Sequence, residues 1–356
     1  MKKHNYSAGP SILPQEVFEK ASKAILNFND SGLSILEISH RSKDFVAVMD
    51  EARSLALELL GLEGKGYQAL FLQGGASTAF LMAPYNLMKE NGKAAYLDSG
   101  TWATAAIKEA KYFGETVVVA SSKEENYNHI PKGYTIPSDA DYFHCTSNNT
   151  IFGTQMKDFP ATNVPVVCDM SSDIFSRNLD FSKFDLIYAG AQKNMGPAGT
   201  TLVVVKEEIL EKTGRTIPSM LDYAKHIKAE SMYNTPPVFA VYVSLLTLQW
   251  IKAKGGVAAV QKLNDAKAEL LYAEIDRNPL FKGAAAVEDR SIMNVTFLLN
   301  NADHTETFDG LWKAAGISGL PGHRSVGGYR ASIYNAMPIE SVQVLVDVMK
   351  ALETKI

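Results

Sequence analysis

The sequence predicts an α/β protein: a large domain with a seven-stranded, mostly parallel sheet covered by helices, followed by a smaller C-terminal α+β domain. Two observations support this prediction. Short apolar runs recur from residue 67 to residue 205, and amphipathic stretches separate several of them. Strands rich in Val, Ile and Tyr that alternate with helices are typical of parallel β-α units with both sheet faces buried.

The predicted strands of the large sheet are YQALFL (67–72), AAYLD (94–98), TVVVA (116–120), DYFHC (141–145), VPVVC (164–168), DLIYA (185–189) and TLVVV (201–205). Helices are predicted over Ser77–Lys89 and Thr104–Tyr112, where apolar residues recur at three- and four-residue spacing. Each of these helices connects two consecutive strands, which is the arrangement that parallel pairing requires.

The pattern changes after the seventh strand. The elements predicted there are a helix from Pro236-Pro237 to Lys254, a break at Gly255-Gly256, a helix from Val257 to Asp276, a strand (NVTFLL, 294–299), a helix near 305–315, a glycine-rich stretch (319–328), a short strand and a terminal helix from Pro338. We therefore divide the chain into an N-terminal arm (1–15), a large domain (16–253) and a small C-terminal domain (254–356).

Composition and charge are those of an ordinary globular protein. The 356 residues are 46% apolar and 21% charged, with a formal net charge of −4, so no strong basic charge favours nucleic acid or an anionic membrane. No apolar run reaches the ~20 residues of a membrane span, and the start has no apolar signal-peptide core. Cys145 and Cys168 lie in strand-like runs, as buried thiols do. We expect a cytoplasmic protein that uses no metal.

Polar residues follow several predicted strands, at the edge where ligands of such sheets bind. The first strand runs into QGGAS (73–77), whose glycines and helix start suit a phosphate. Asp169 and Lys193 follow the fifth and sixth strands. Taken singly, each segment is more typical of a tight turn, a helix cap or a solvated residue. Their shared edge favours one site.

Pyridoxal phosphate requires this combination of groups. Its aldehyde needs a lysine amine with a lowered pKa, and its pyridine nitrogen needs a carboxylate that keeps it protonated. Trp102, just after the second strand, is placed to face the ring, although a core position is the alternative. The glycine fingerprints of dinucleotide-binding and P-loop proteins do not occur in the sequence.

At these residues the chain resembles the phosphoserine aminotransferases, a class V group of the fold-type-I pyridoxal-phosphate enzymes, over essentially its whole length. The matching segments are NYSAGPSILP (5–14), ISHRSK (38–43), QGGAS (73–77), IYAGAQKNMGPAG (187–199), YNTPPVFAVY (233–242) and GHRSVGGYRASIYNAM (322–337). Their combination is far more specific than any one of them.

The resemblance implies roles for the residues around the cofactor ring. Lys193 would carry pyridoxal 5'-phosphate as a Schiff base, and Asp169 would pair with the pyridine nitrogen. Trp102 would stack on the ring, and Thr150 would bond near the ring hydroxyl.

The resemblance also implies how the cofactor phosphate is held. Ala76, Ser77 and Gln192 would bind it from the same subunit. Asn234 and Thr235 would reach the phosphate of the neighbouring subunit's cofactor, so a homodimer with shared active sites is expected.

On the substrate side, the resemblance makes Arg330 the fork for the α-carboxylate. His40, Arg41, His323 and Arg324 would form the pocket for the distal anion, some of them donated across the dimer. Arg binds phosphate or carboxylate in bidentate fashion, and His adds charge that suits a phosphate dianion. Surface charge is the alternative interpretation of both His-Arg pairs.

The implied reaction is reversible transamination between L-glutamate and 3-phosphohydroxypyruvate, which gives O-phospho-L-serine and 2-oxoglutarate for serine biosynthesis. Whether 4-phosphohydroxy-L-threonine of pyridoxine biosynthesis is also a product stays open. Two departures are visible, because Ala8 replaces a serine and Ser77 an arginine of some members. The competing hypotheses are a serine–glyoxylate-type aminotransferase, a cysteine desulfurase-like enzyme and a non-catalytic cofactor-binding protein.

Overall fold

The computed structural model describes residues 3–356, so the first two residues of the predicted N-terminal arm lie outside the described residues. The strands are β1 (His4–Asn5), β2 (Tyr67–Leu72), β3 (Lys93–Asp98), β4 (Glu115–Ser121), β5 (Tyr142–Thr146), β6 (Asn148–Asn149), β7 (Thr154–Gln155), β8 (Val166–Asp169), β9 (Leu186–Gly190), β10 (Thr201–Lys206), β11 (Phe281–Gly283), β12 (Asn294–Leu299), β13 (Ile317–Ser318) and β14 (Tyr329–Ser332). The α-helices are α1 (Gln15–Leu26), α2 (Lys43–Leu60), α3 (Gly75–Leu87), α4 (Thr101–Ala110), α5 (Tyr223–Lys228), α6 (Val238–Ala253), α7 (Gly256–Arg277), α8 (Thr305–Ala314) and α9 (Ile339–Lys355).

The large sheet contains all seven predicted strands, in the order β2-β10-β9-β8-β5-β3-β4, and the predicted fold class is confirmed. Strand β10 is antiparallel to both of its neighbours, whereas the other four pairings are parallel. The link from β9 to β10 is too short for a crossover helix, so β10 returns beside β9. Because β10 reverses direction on both sides, β2 points the same way as β9. The carboxyl ends of six strands therefore share one edge.

Helices bury both faces of this sheet. On one face, a core cluster joins the strands to Phe45 and Leu55 of α2 and to Val241 of α6. On the other face, Phe80 of α3 and Ile107 of α4 pack against the alternate side chains of the strands. The result is a three-layer α/β/α domain whose strand ends stay open at the carboxyl edge.

Helix α2 precedes the first strand predicted from sequence and was not among the predicted elements. Its signals were nevertheless present. Ser42 caps the helix by accepting a hydrogen bond from the Phe45 amide, and Gly61 ends it at a φ of 65°. Val48, Ala52 and other apolar residues recur on its buried face.

The C-terminal part packs α7, α8 and α9 around the antiparallel sheet β11-β12-β14. The N-terminal arm joins this core, since β1 pairs with β13 and Tyr6 is fully buried in it. Helix α7 contributes to both cores: Val260 packs in the large one and Leu271 in the small one. Among residues 3–356, no helix combines the length and apolar character of a membrane span.

Candidate active site

The carboxyl edge of the large sheet brings four of the predicted residues together. Asp169 ends β8, Lys193 follows β9, and Trp102 lies in the first turn of α4 after β3. The Lys193 Nζ is 5.2 Å from the centroid of the Trp102 ring. The Trp102 indole N–H in turn donates to Thr150 Oγ1 at 3.1 Å. Lysine, carboxylate, aromatic ring and hydroxyl thus surround one space within a single chain.

Burial alters the proton affinities of the two charged groups. It lowers the pKa of the Lys193 amine, although the Asp169 carboxylate acts in the opposite direction. It raises the pKa of Asp169, against the effects of Lys193 and of hydrogen bonds from Ser171. A lysine whose pKa is lowered has more of the neutral amine that attacks an aldehyde.

The N-terminal arm packs directly on the lysine, a contact that the sequence analysis did not anticipate. A Cβ at Gly9 would lie 3.2 Å from the Lys193 Cγ, and the backbone there has a φ of +148°. The Ser11 hydroxyl donates to the Lys193 carbonyl oxygen, and its amide donates to Gln192 O at 3.0 Å. The Ala8 carbonyl oxygen accepts a hydrogen bond from the Tyr334 hydroxyl at 2.6 Å, a backbone contact that does not need the serine of other members.

The start of α3 has the geometry of a phosphate seat. Gly74 adopts a φ of 97°, and a Cβ there would overlap the Thr78 side chain, so the tight turn requires glycine. No side chain of residues 3–356 caps the helix, which leaves its first N–H groups open to a ligand. Ala76 is half-buried and Ser77 is exposed at this end. Together with Lys193, this turn fits the aldehyde and the phosphate of the expected cofactor.

Asn234 and Thr235 lie on the outer side of the same turn. The Gln73 side chain donates to Thr235 O at 2.8 Å and accepts from the Asn234 side chain at 3.4 Å. Both residues are at least partly exposed within the chain. Their predicted reach to a neighbouring subunit's cofactor is compatible with this position and stays a prediction.

Arg330 borders the cofactor space on the small-domain side. It lies in β14, and its Nη1 donates to Thr150 O at 3.3 Å. Its Nε is buried and has no hydrogen-bond partner among residues 3–356. Since a buried, unpaired guanidinium N–H is costly, the geometry suits a substrate carboxylate.

Of the four residues predicted for the distal anion pocket, the structure shows two, His323 and Arg324, near Arg330. His323 lies near Arg330 and Arg324, whose charges together with burial lower the pKa of its imidazole. His40 and Arg41 lie in the turn before α2. No hydrogen bond or ion pair in the described part of the chain links either of them to the other three residues. Arg41 and Arg324 are exposed.

A family model, curated relatives and solved structures all match this chain to aminotransferases. A family model described as Aminotransferase class-V matches residues 4–345. A phosphoserine aminotransferase of Flavobacterium johnsoniae is 91% identical, and the match covers 100% of both chains. Among solved structures, the phosphoserine aminotransferase of Bacillus circulans subsp. alkalophilus has a TM-score of 0.96 at 45% identity over 99% of both chains. The PLP-bound enzyme of Trichomonas vaginalis has a TM-score of 0.93 at 36% identity, covering 98% of this chain and 100% of that one.

Proposed function

The chain belongs to the class-V aminotransferases and, within them, to the phosphoserine aminotransferases, and from this premise we propose how its residues carry out the reaction. It is a pyridoxal-phosphate-dependent aminotransferase that interconverts L-glutamate and 3-phosphohydroxypyruvate with 2-oxoglutarate and O-phospho-L-serine. The observation that carries the assignment of roles is the cluster of Lys193, Asp169 and Trp102 beside the uncapped start of α3.

At the cofactor, the bound group supplies an electron-withdrawing ring that stabilises negative charge at the substrate Cα. Asp169 would keep the ring nitrogen protonated, and Trp102 would stack on the ring. Thr150 would donate toward the ring hydroxyl, and Lys193 would hold the aldehyde carbon and move the proton at the substrate Cα. The cofactor phosphate would be held by Ala76, Ser77 and Gln192. Because Ser77 stands where some members carry arginine, the phosphate would be bound by a hydroxyl and backbone N–H groups.

Arg330 binds the α-carboxylate that every substrate shares. Its buried Nε has no hydrogen-bond partner among residues 3–356 and can donate to that carboxylate. His323 and Arg324 approach from the small domain, and His40 and Arg41 complete the distal pocket. That pocket accepts a phosphate in one half-reaction and the glutamate γ-carboxylate in the other.

A homodimer with shared sites explains why the distal pocket is incomplete in one chain. Leu33 and Leu36, which precede His40, are 49% and 61% exposed, as expected for a segment that packs on a partner. Mixing Lys193→Ala chains with Arg41→Ala chains tests this. If Arg41 acts across the dimer, the mixture regains activity, because one site then has both residues intact. If Arg41 serves its own chain, no site is intact and activity stays at the level of the Arg41→Ala parent.

The cofactor assignment is tested by borohydride reduction of the purified holoenzyme and mass mapping. The reduced adduct is expected on Lys193, and Lys193→Ala should take up none. Lys157, whose pKa is lowered to about 8, chiefly by desolvation of its amine, is the matched internal control. An adduct on Lys157 or another lysine would overturn the catalytic assignment.

The comparisons support this function over the desulfurase and glyoxylate alternatives. Cys145 and Cys168 are fully buried on adjacent strands, with their sulfur atoms 3.7 Å apart, and burial raises the pKa of the Cys168 thiol. Neither can serve as the exposed nucleophile of a desulfurase. Two neighbouring thiols left unpaired also fit a cytoplasmic location. A coupled assay with 3-phosphohydroxypyruvate and the ketone of 4-phosphohydroxy-L-threonine would decide whether pyridoxine biosynthesis is served too.

A further inference from the structure

Ser171 lies between the two strand ends that carry the cofactor residues. Its side chain is 4% exposed, in the turn after β8. The hydroxyl donates to Asp169 Oδ1 at 2.7 Å, and the Ser171 amide donates to the same oxygen at 2.9 Å. The Gly190 amide, at the end of β9, donates to the Ser171 hydroxyl oxygen at 3.1 Å.

These contacts fix the direction of the hydroxyl proton. A serine hydroxyl has one proton to donate, and its oxygen accepts from other groups. Because the Gly190 N–H occupies the accepting side, the proton points to the Asp169 carboxylate. A neutral donor held in this direction favours the ionised carboxylate, and the hydrogen bonds from Ser171 act against the rise in the Asp169 pKa that burial causes.

The Asp169 carboxylate is held asymmetrically. Both hydrogen bonds that residues 3–356 give it end on Oδ1. Its backbone carbonyl is fixed separately, by the Ser147 amide at 3.0 Å. The Ser147 hydroxyl, just after β5, lies 3.0 Å from the same oxygen and makes a closer contact with Asp173 Oδ1. Oδ2 therefore remains available for a ligand, and the orientation of the carboxylate depends on Ser171.

We infer that Ser171 is a positioning residue for the transamination: it turns Oδ2 of Asp169 toward the ring nitrogen of the cofactor and keeps that carboxylate ionised. The inference rests on the proposed pairing of Asp169 with the ring nitrogen. Without the Ser171 hydroxyl, the carboxylate becomes more basic, and the shared proton moves from the ring nitrogen toward Asp169. The ring then withdraws electrons less well.

The test uses enzyme reconstituted with pyridoxal phosphate that carries ¹⁵N in its ring, and NMR of that nitrogen reports its protonation directly. Ser171→Ala should move the resonance toward that of neutral pyridine. It should also weaken cofactor affinity and lower kcat, each about tenfold, as expected for losing a hydrogen bond to a charged group. The KM for glutamate should stay within about twofold, since Ser171 does not face the substrate.

Three further variants make the outcome specific. Ser147→Ala removes a buried hydroxyl that contacts the Asp169 carbonyl oxygen and Asp173 Oδ1 but not the Asp169 carboxylate, and it should leave the nitrogen resonance unchanged. Ser171→Thr keeps a hydroxyl donor, so its ring-nitrogen resonance should lie at the wild-type position. Ser171→Cys keeps the volume with a poor donor and should behave like Ser171→Ala, which covers the case in which the alanine variant folds poorly.

Asp169→Asn separates failure of this inference from failure of the proposed function. If Asp169→Asn shifts the resonance and neither Ser171→Ala nor Ser171→Cys does, Ser171 has no positioning role. If Asp169→Asn leaves the resonance at its wild-type position, the pairing of Asp169 with the ring nitrogen is wrong, and the inference falls with it.

Discussion

The two halves of the candidate site differ in how the chain builds them. In the cofactor half, the residues predicted around the cofactor ring come from one chain, and two of them are buried: Asp169 is 5% exposed and Thr150 is 3% exposed, and hydrogen bonds fix both side chains. The distal half consists of residues on separate segments, of which Arg41 and Arg324 are exposed and His40 and His323 are half-buried. The difference suggests that sheet topology determines the cofactor chemistry, whereas loops and a second chain determine which substrate is accepted.

The largest effect is expected in the cofactor half. Asp169→Ala should keep some cofactor but lower kcat by at least about a hundredfold, because an unprotonated ring stabilises negative charge at Cα poorly. Stopped-flow single turnovers with glutamate would measure the loss. A rate close to that of the wild type would mean that Asp169 only terminates β8.

Arg330 lies where the two halves meet and should affect every substrate. Arg330→Ala should reduce kcat/KM for glutamate, phosphoserine and alanine by about one to two orders of magnitude, the typical result of losing a charged hydrogen-bond partner. Steady-state kinetics with the three amino acids would show whether the loss is uniform. A loss with glutamate and phosphoserine that spares alanine would place Arg330 in the distal pocket instead.

The buried half should also give stability a dependence on pH. His144 in β5 is hydrogen-bonded to the Tyr188 hydroxyl at 2.6 Å, and burial lowers its pKa from 6.5 to about 3. Between these values the unfolded chain binds a proton that the folded chain does not. The free energy of unfolding should therefore fall as the pH falls from about 6.5 toward 3, by up to ~1.4 kcal/mol per pH unit from this group.

Urea unfolding of the holoenzyme at several pH values, compared with His144→Gln, would isolate this contribution. The stability advantage of the wild type over the variant should shrink on acidification through that range. A constant difference between the two proteins would show that His144 is protonated in the folded state.

The smallest effect is expected at the loop that carries His323 and Arg324. Val326 is the apolar side chain of this loop that packs against Tyr127 and Phe152 of the large domain. Val326→Ser should raise the KM for glutamate and phosphoserine by about threefold to tenfold, because a polar side chain loses that packing. Alanine, which has no distal anion, should react as before, and an equal loss with alanine would contradict a role limited to the distal pocket.

Sequence patterns predicted which residues lie at the carboxyl edge of the sheet because that information is local. The alternation of strands and helices determines which residues reach the carboxyl edge, and Asp169 and Lys193 follow directly from that. Ser171 was not predicted, since a serine two residues after an aspartate is an ordinary turn pattern. Its role depends on the approach of the Gly190 amide from the next strand, which no local pattern encodes.

The residues of the distal half were predicted from the resemblance to known enzymes and not from local patterns, and the geometry of the pocket stays a prediction. His40 and Arg41 precede α2, a helix that Ser42 caps and Gly61 ends. The sequence also could not predict that Gly9 packs on Lys193. That contact depends on the N-terminal arm joining the core of the C-terminal part, where β1 pairs with β13. Contacts between distant segments depend on tertiary packing rather than on any one pattern.

The division between the two halves is tested most directly by comparing glutamate with alanine in Arg41→Ala and Arg330→Ala. The measurement is the rate at which each amino acid changes the cofactor absorbance in a single half-reaction. Arg41→Ala should slow glutamate by about one to two orders of magnitude and leave alanine almost unchanged, whereas Arg330→Ala should slow both. If Arg41→Ala slows alanine as much as glutamate, Arg41 supports the structure of the site or a dimer contact, and the proposed division is wrong.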